Sequence, residues 1–109
     1  MTQPITVLVT GSTDGIGLET SLELVRRGAL VIVHGRNPSR VAAAKEKLEK
    51  EIDGGRNQMP EAVIADFSSL GQVRAMVSEL ESRHESFDVL LNNAGIFSNQ
   101  RGLSMDGFE

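Results

Sequence analysis

Four short apolar runs, each rich in β-branched or aliphatic residues, leave few architectures open to this chain: "ITVLVT" from Ile5, "LVIVHG" from Leu30, "EAVIAD" from Glu61 and "DVLLNN" from Asp88. They are nearly continuous rather than alternating, which suits strands covered on both faces. Segments of helical period lie between them. Leu18, Leu22 and Val25 fall at i, i+4 and i+7 and lead into Arg26, Arg27 and Gly28, a basic last turn followed by a helix-stopping glycine. A second helix opens with Asn37 as N-cap and Pro38 as first helical residue, places Val41, Ala44, Leu48 and Ile52 on one face, and ends at Gly54 and Gly55. Glu46 and Lys50 are spaced to pair on its solvated face. A third helix follows Ser68 or Ser69 as cap and carries Val73, Met76, Val77 and Leu80, which makes Met76 a core residue rather than a ligand. Strand and helix therefore alternate from end to end, the pattern of an α/β fold with a parallel sheet and half of a doubly wound unit.

Composition narrows the functions such a unit can serve. At 109 residues the chain forms one domain at most, with 39% hydrophobic and 24% charged residues in the range of folded soluble domains. The net charge of −4 comes from interspersed acids and bases, so there is no basic patch for nucleic acid or an anionic membrane. Cysteine is absent, which excludes disulfides, thiolate metal sites and a cysteine nucleophile, and His34 and His84 alone make a poor metal set. No apolar run approaches membrane-spanning length and no leader-like start is present, so the expected location is cytoplasmic.

The stretch with chemical content is "TGSTDGIG", Thr10 to Gly17, directly after the first strand. Three glycines in seven residues either serve a tight connection or let a ligand approach the backbone where a side chain would block it. In a doubly wound sheet this turn lies at the switch point, and the N–H groups that open the following helix suit a pyrophosphate. Gly11 then allows the tight turn, Gly15 the close approach to phosphate and Gly17 the contact of helix with strand, while Ile16 offers its backbone N–H.

Thr10, Gly11, Gly15, Ile16 and Gly17, with Asp66 after the third strand and Asn92, Asn93, Ala94 and Gly95 after the fourth, resemble the short-chain dehydrogenase/reductase family over the whole chain. The ending "DGFE" is similar to the retinol-dehydrogenase-like branch. The resemblance implies a Rossmann-like partial sheet of order 3-2-1-4, with residues 1–95 as the dinucleotide-binding half and 96–109 as a tail leading into a missing catalytic half. It further implies coenzyme contacts from Gly11, Ser12, Thr13, Gly15, Ile16 and Gly17, and from Asp66 to the adenine amino group with the Phe67 backbone beside the same ring. Asn93, Ala94 and Gly95 would line the adenosine side. Asp66 is also placed to cap a helix, and Asn92 and Asn93 to hold the strand end through backbone bonds.

Coenzyme choice is read at the end of the second strand, where an NAD-selective site places an acid on the ribose hydroxyls. Here Gly35 stands at that position and Arg36 follows, a guanidinium suited to the 2′-phosphate of NADP. NADP is expected, with NAD possible. Asp14 counts against it, because many NADP-using relatives carry a base before the second glycine; Asp14 is placed instead to cap the helix. His34 reads as a packed residue rather than a catalyst.

The family's proton transfer uses a tyrosine in Y-x-x-x-K, its phenol assisted by the lysine. This sequence has no tyrosine, its lysines are Lys45, Lys47 and Lys50 on the second helix, and Ser98 and Ser104 lie too early for the family's serine. No catalytic residue is assigned. The expectation is an oxidoreductase on an alcohol or carbonyl, represented here by an inactive coenzyme-binding fragment, with a noncatalytic nucleotide-binding module or an unstable remnant as alternatives. The fourth strand is then expected to be a bare edge, with Val89, Leu90 and Leu91 poorly covered.

Overall fold

The computed structural model describes residues 5–52, 58–84 and 88–91. Its elements run β1 (Thr6–Val9), α1 (Gly15–Arg26), β2 (Leu30–Gly35), α2 (Pro38–Glu49), β3 (Glu61–Ile64), α3 (Leu70–Arg83) and β4 (Val89–Leu91). All four strands are parallel and lie in the order β3-β2-β1-β4. Register pairs Thr6 with Leu30, Val7 with Val89 and Ile32 with Glu61. The Rossmann-like partial sheet expected from the sequence is therefore the observed fold.

Side-chain alternation along the two inner strands divides the core into two layers. Val7 and Val9 of β1 with Val31 and Val33 of β2 face α1 and α2, where Leu18, Val25, Val41, Ala44 and Leu48 meet them. Leu8 and Ile32 face the other way with Val63 and Ala65, and Met76 and Leu80 of α3 close over them. Helices thus cover both faces, as strands without alternation require. That expectation holds for β1 and β2 but not for β3, while β4 is open at Val89 and Leu90, as expected of a bare edge, with Leu91 half-buried. Leu90 is 62% exposed and Val89 and Ile64 are also open, because an outer strand has a neighbour on one side only. Val77, expected in the core, is exposed for a related reason: the α3 layer closes over Leu8, Ile32 and Val63 with Met76 and Leu80, and Val77 lies off that line.

Helix ends follow the local sequence. Gly28 adopts φ 91° and its N–H donates to the Val25 carbonyl, while Ala29 N–H reaches back to Leu24, so the glycine closes α1 and turns the chain into β2. Asn37 caps α2 by accepting from Arg40 N–H at 3.1 Å, and Ser69, rather than Ser68, caps α3 by accepting from Gln72 N–H at 3.3 Å. On the wet face of α2 the ion pair is Lys45 with Glu49 instead of Glu46 with Lys50, since Lys50 is already the C-cap residue beyond Glu49. Gly54 and Gly55 lie outside the described residues. Replacing Asn37 with alanine is expected to cost about 1 kcal/mol. In a domain of this size that lowers a thermal midpoint by about 4–8 °C, measurable by circular dichroism.

Candidate functional site

The turn between β1 and α1 stands at the carboxyl ends of the two innermost strands, on the β4 side of which the chain order reverses. Gly11 and Gly15 both have positive φ, 61° and 56°, a region that side chains with a Cβ avoid. A Cβ at Gly15 would meet nothing within 4 Å, so the glycine is needed for backbone conformation and leaves open space above the turn. Gly17 is buried inside the first turn of α1, and Ile16 beside it is exposed. Asp14 occupies the N-cap position of α1 but its carboxylate makes no capping bond, contrary to the expected role. Its side chain lies 4.0 Å from the Arg40 guanidinium, both groups well exposed, an ion pair of little energetic weight. Of the three helices, α1 alone therefore opens with no side-chain cap on its N–H groups.

His34 fixes the turn from below. It is 3% exposed, and its Nδ1 accepts from Gly11 N–H at 2.9 Å while Nε2 lies 2.9 Å from the Ala65 carbonyl. A carbonyl only accepts, so Nε2 carries the proton and the ring is neutral with Nδ1 as acceptor. Burial pushes its pKa below the ordinary histidine value, with the Ala65 bond opposing. Fully buried Ser12 adds to the attachment: its N–H donates to the His34 carbonyl at 2.9 Å and its hydroxyl accepts from His34 N–H at 2.9 Å. Ser12 thereby anchors the turn rather than facing outward. Gly35 follows, and a Cβ there would stand 2.6 Å from Thr13 Cγ2 and 2.9 Å from Val41 Cγ2. The glycine at the end of β2 is required by the close approach of the turn.

Beyond β3, Asp66 Oδ1 accepts from Ser68 N–H at 2.9 Å and from the Ser68 hydroxyl at 2.8 Å. These bonds hold its carboxyl below the usual carboxylate range, and the Arg36 charge adds to the effect. Asp66 thus organises the loop before α3 without being the helix cap, which is Ser69. Phe67 is partly exposed and stacks on the His34 ring, with centroids 4.3 Å apart and planes 18° off parallel. Arg36 projects at the exposed end of β2, with no hydrogen bond or ion pair among the described residues.

The structure therefore brings Gly11, Ser12, Thr13, Gly15, Ile16, Gly17, Arg36, Asp66 and Phe67 to one end of the sheet, at the carboxyl ends of β1, β2 and β3. Asn93, Ala94 and Gly95 lie outside the described residues. Sequence reasoning missed the connecting role of His34. The signal was its phase: it shares a strand face with Ile32, where an apolar residue is the rule and a polar one needs partners.

A short chain dehydrogenase family model matches residues 5–108. Human retinol dehydrogenase 14 is 37% identical over 114 aligned residues, covering 95% of this chain and 34% of that protein. The chain thus spans about a third of the length of the curated relatives it matches. Among solved structures, menthone neomenthol reductase from Mentha piperita superposes with a TM-score of 0.79 at 30% identity, covering 87% of this chain and 33% of that one. An actinorhodin polyketide ketoreductase with NADPH gives 0.74 at 31% identity, covering 85% and 34%. An NADH-dependent reductase complexed with NAD gives 0.69 at 33%, covering 85% and 37%. A glycine turn hung on the inner strands, the reversed strand order and these matches over nearly the whole chain lead to one assignment: the chain belongs to the short-chain dehydrogenase family of oxidoreductases.

Proposed function

We propose that the chain is the coenzyme-binding part of an NADP-preferring oxidoreductase acting on an alcohol or carbonyl. The observation that carries this reading is the turn at Gly15, where positive φ, open space and an uncapped helix start coincide. An anion there meets N–H donors and the positive end of the α1 dipole. The residues present fit a dinucleotide: Gly11, Thr13, Gly15, Ile16 and Gly17 around the pyrophosphate with Ser12 beneath them, Asp66 and the Phe67 backbone at the adenine, and Asn93, Ala94 and Gly95 along the adenosine. Asp66 uses Oδ1 for Ser68, and among the described residues Oδ2 has no hydrogen-bond donor, which leaves it available to an amino group. When bound, the nicotinamide would supply or accept hydride. The chain's own residues would bind and orient the coenzyme.

Arg36 supports the NADP preference, since it is exposed and β2 ends in Gly35 rather than in an acid. Titration of the chain with NADPH and NADH by calorimetry tests it. NADPH is expected to bind more tightly, and Arg36→Ala to weaken NADPH about tenfold, the size of one charge-assisted bond, with little change for NADH. Equal affinities in the parent, or preference for NADH, would remove the role given to Arg36. With no tyrosine to transfer a proton, the chain alone is expected to show no carbonyl reduction, checked by following NADPH oxidation in the presence of a carbonyl compound. No helix among the described residues is long and apolar enough to cross a membrane.

A further inference from the structure

We propose that His34 is a positioning residue for the coenzyme turn, holding the backbone at Gly11 in register with the ends of β2 and β3 through its neutral, Nε2-protonated ring. The inference rests on the coenzyme-binding reading for its ligand, but its geometry stands independently. One imidazole joins three places that a dinucleotide would have to find correctly spaced: the Gly11 N–H on the turn, the Ala65 carbonyl beyond β3, and the Phe67 ring beside the adenine position. Its own backbone N–H and carbonyl are bonded to Ser12, so the residue is attached to the turn from main chain and side chain together.

This arrangement works in one protonation state only. A proton on Nδ1 sets an N–H against the Gly11 N–H, so a bond becomes a repulsion between donors and the turn must shift. The charged residues at this end of the sheet are Arg36 after β2, Asp66 beyond β3, Asp14 before α1 and Arg40 in the first turn of α2. The hydrogen bonds of the imidazole are to backbone groups, the Gly11 N–H and the Ala65 carbonyl. Because burial lowers the pKa, the neutral ring contributes stability fully above the ordinary histidine pKa, and that contribution falls away as pH drops below it toward the depressed folded value. Coenzyme affinity, a property of the folded protein, is expected to fall only as pH drops through the depressed folded value, where the ring takes a proton on Nδ1.

Two measurements on the full chain test this. Nitrogen-detected NMR of the ligand-free protein is expected to show the Nε2–H tautomer of His34 at neutral pH, with the Gly11 amide shift moving as the ring protonates, at a midpoint below 6.5. A ring that titrates at the ordinary value, or a Gly11 amide that ignores it, overturns the proposal. Calorimetry with NADPH then compares His34→Asn, whose side-chain oxygen can still accept from Gly11, with His34→Leu, which fills the space without an acceptor. Positioning predicts that Leu weakens binding by on the order of tenfold and removes its acid sensitivity, while Asn retains most of the affinity. A pure packing role gives the reverse order and overturns the proposal. If the parent binds neither NADPH nor NADH, the coenzyme reading fails, and the NMR result still decides whether His34 holds the turn.

Discussion

Alanine at Gly15 is expected to weaken NADPH binding about a hundredfold while leaving a folded protein. The Cβ meets nothing within 4 Å, so no clash inside the chain opposes the substitution. The cost to folding is the strain of placing an L-residue at φ 56°, about 1–2 kcal/mol. The cost to binding is larger, because the methyl group projects into the space through which a phosphate would reach the N–H groups of α1. Losing about 3 kcal/mol of charge-assisted hydrogen bonding corresponds to about two decades of affinity. Gly28→Ala is the matching control. Gly28 has φ 91° and sits at the opposite end of α1, so the same kind of strain should lower the melting temperature without changing the dissociation constant. Calorimetry and thermal melts on the two variants separate the effects, and unchanged NADPH binding in Gly15→Ala would exclude this turn as the phosphate site.

Aspartate at Gly35, the substitution that would place an acid on the adenosine ribose, is expected to damage the fold instead of redirecting the site to NADH. Its Cβ alone comes within 2.6 Å of Thr13 Cγ2 and 2.9 Å of Val41 Cγ2. Thr13 is partly exposed and can rotate, but Val41 is packed in the α2 layer and cannot move without opening the core. Overpacking of this kind costs about 1–3 kcal/mol, and the added carboxylate starts from a buried position. Denaturant unfolding should show the loss, and NADH affinity should fall or stay level. A stable Gly35→Asp protein that gains NADH affinity would show that the turn and β2 are less tightly interlocked than their contacts indicate.

The element order and the inner core were legible because local signals agreed with one another. Continuous apolar runs marked β1 and β2, and Asn37, Pro38 and Gly28 marked helix ends where the structure has them. Burial of the outer elements was harder to read, since the period that made Val77 a core residue says nothing about how far the opposing sheet extends. At the site, glycine spacing located the turn, yet the two reasons for glycine differ: conformation at Gly15, space at Gly35. Spacing cannot distinguish them, because one depends on φ and the other on a side chain arriving from elsewhere in the chain. His34 was hidden for the same reason, its partners Gly11 and Ala65 being 23 and 31 residues away.

The coenzyme turn hangs from β1 and β2, each hydrogen-bonded to a strand on both sides, while β4 contributes three residues at the rim. Amide protons of Val31, Ile32 and Val33 should exchange with solvent only on global unfolding, and those of Val89 and Leu90 through cheaper local openings. Fraying of the rim would release the bonds of Thr10 to the Leu91 carbonyl but leave those of Gly11 and Ser12 to His34, so a bound dinucleotide would loosen on its β4 side before its phosphate turn came apart.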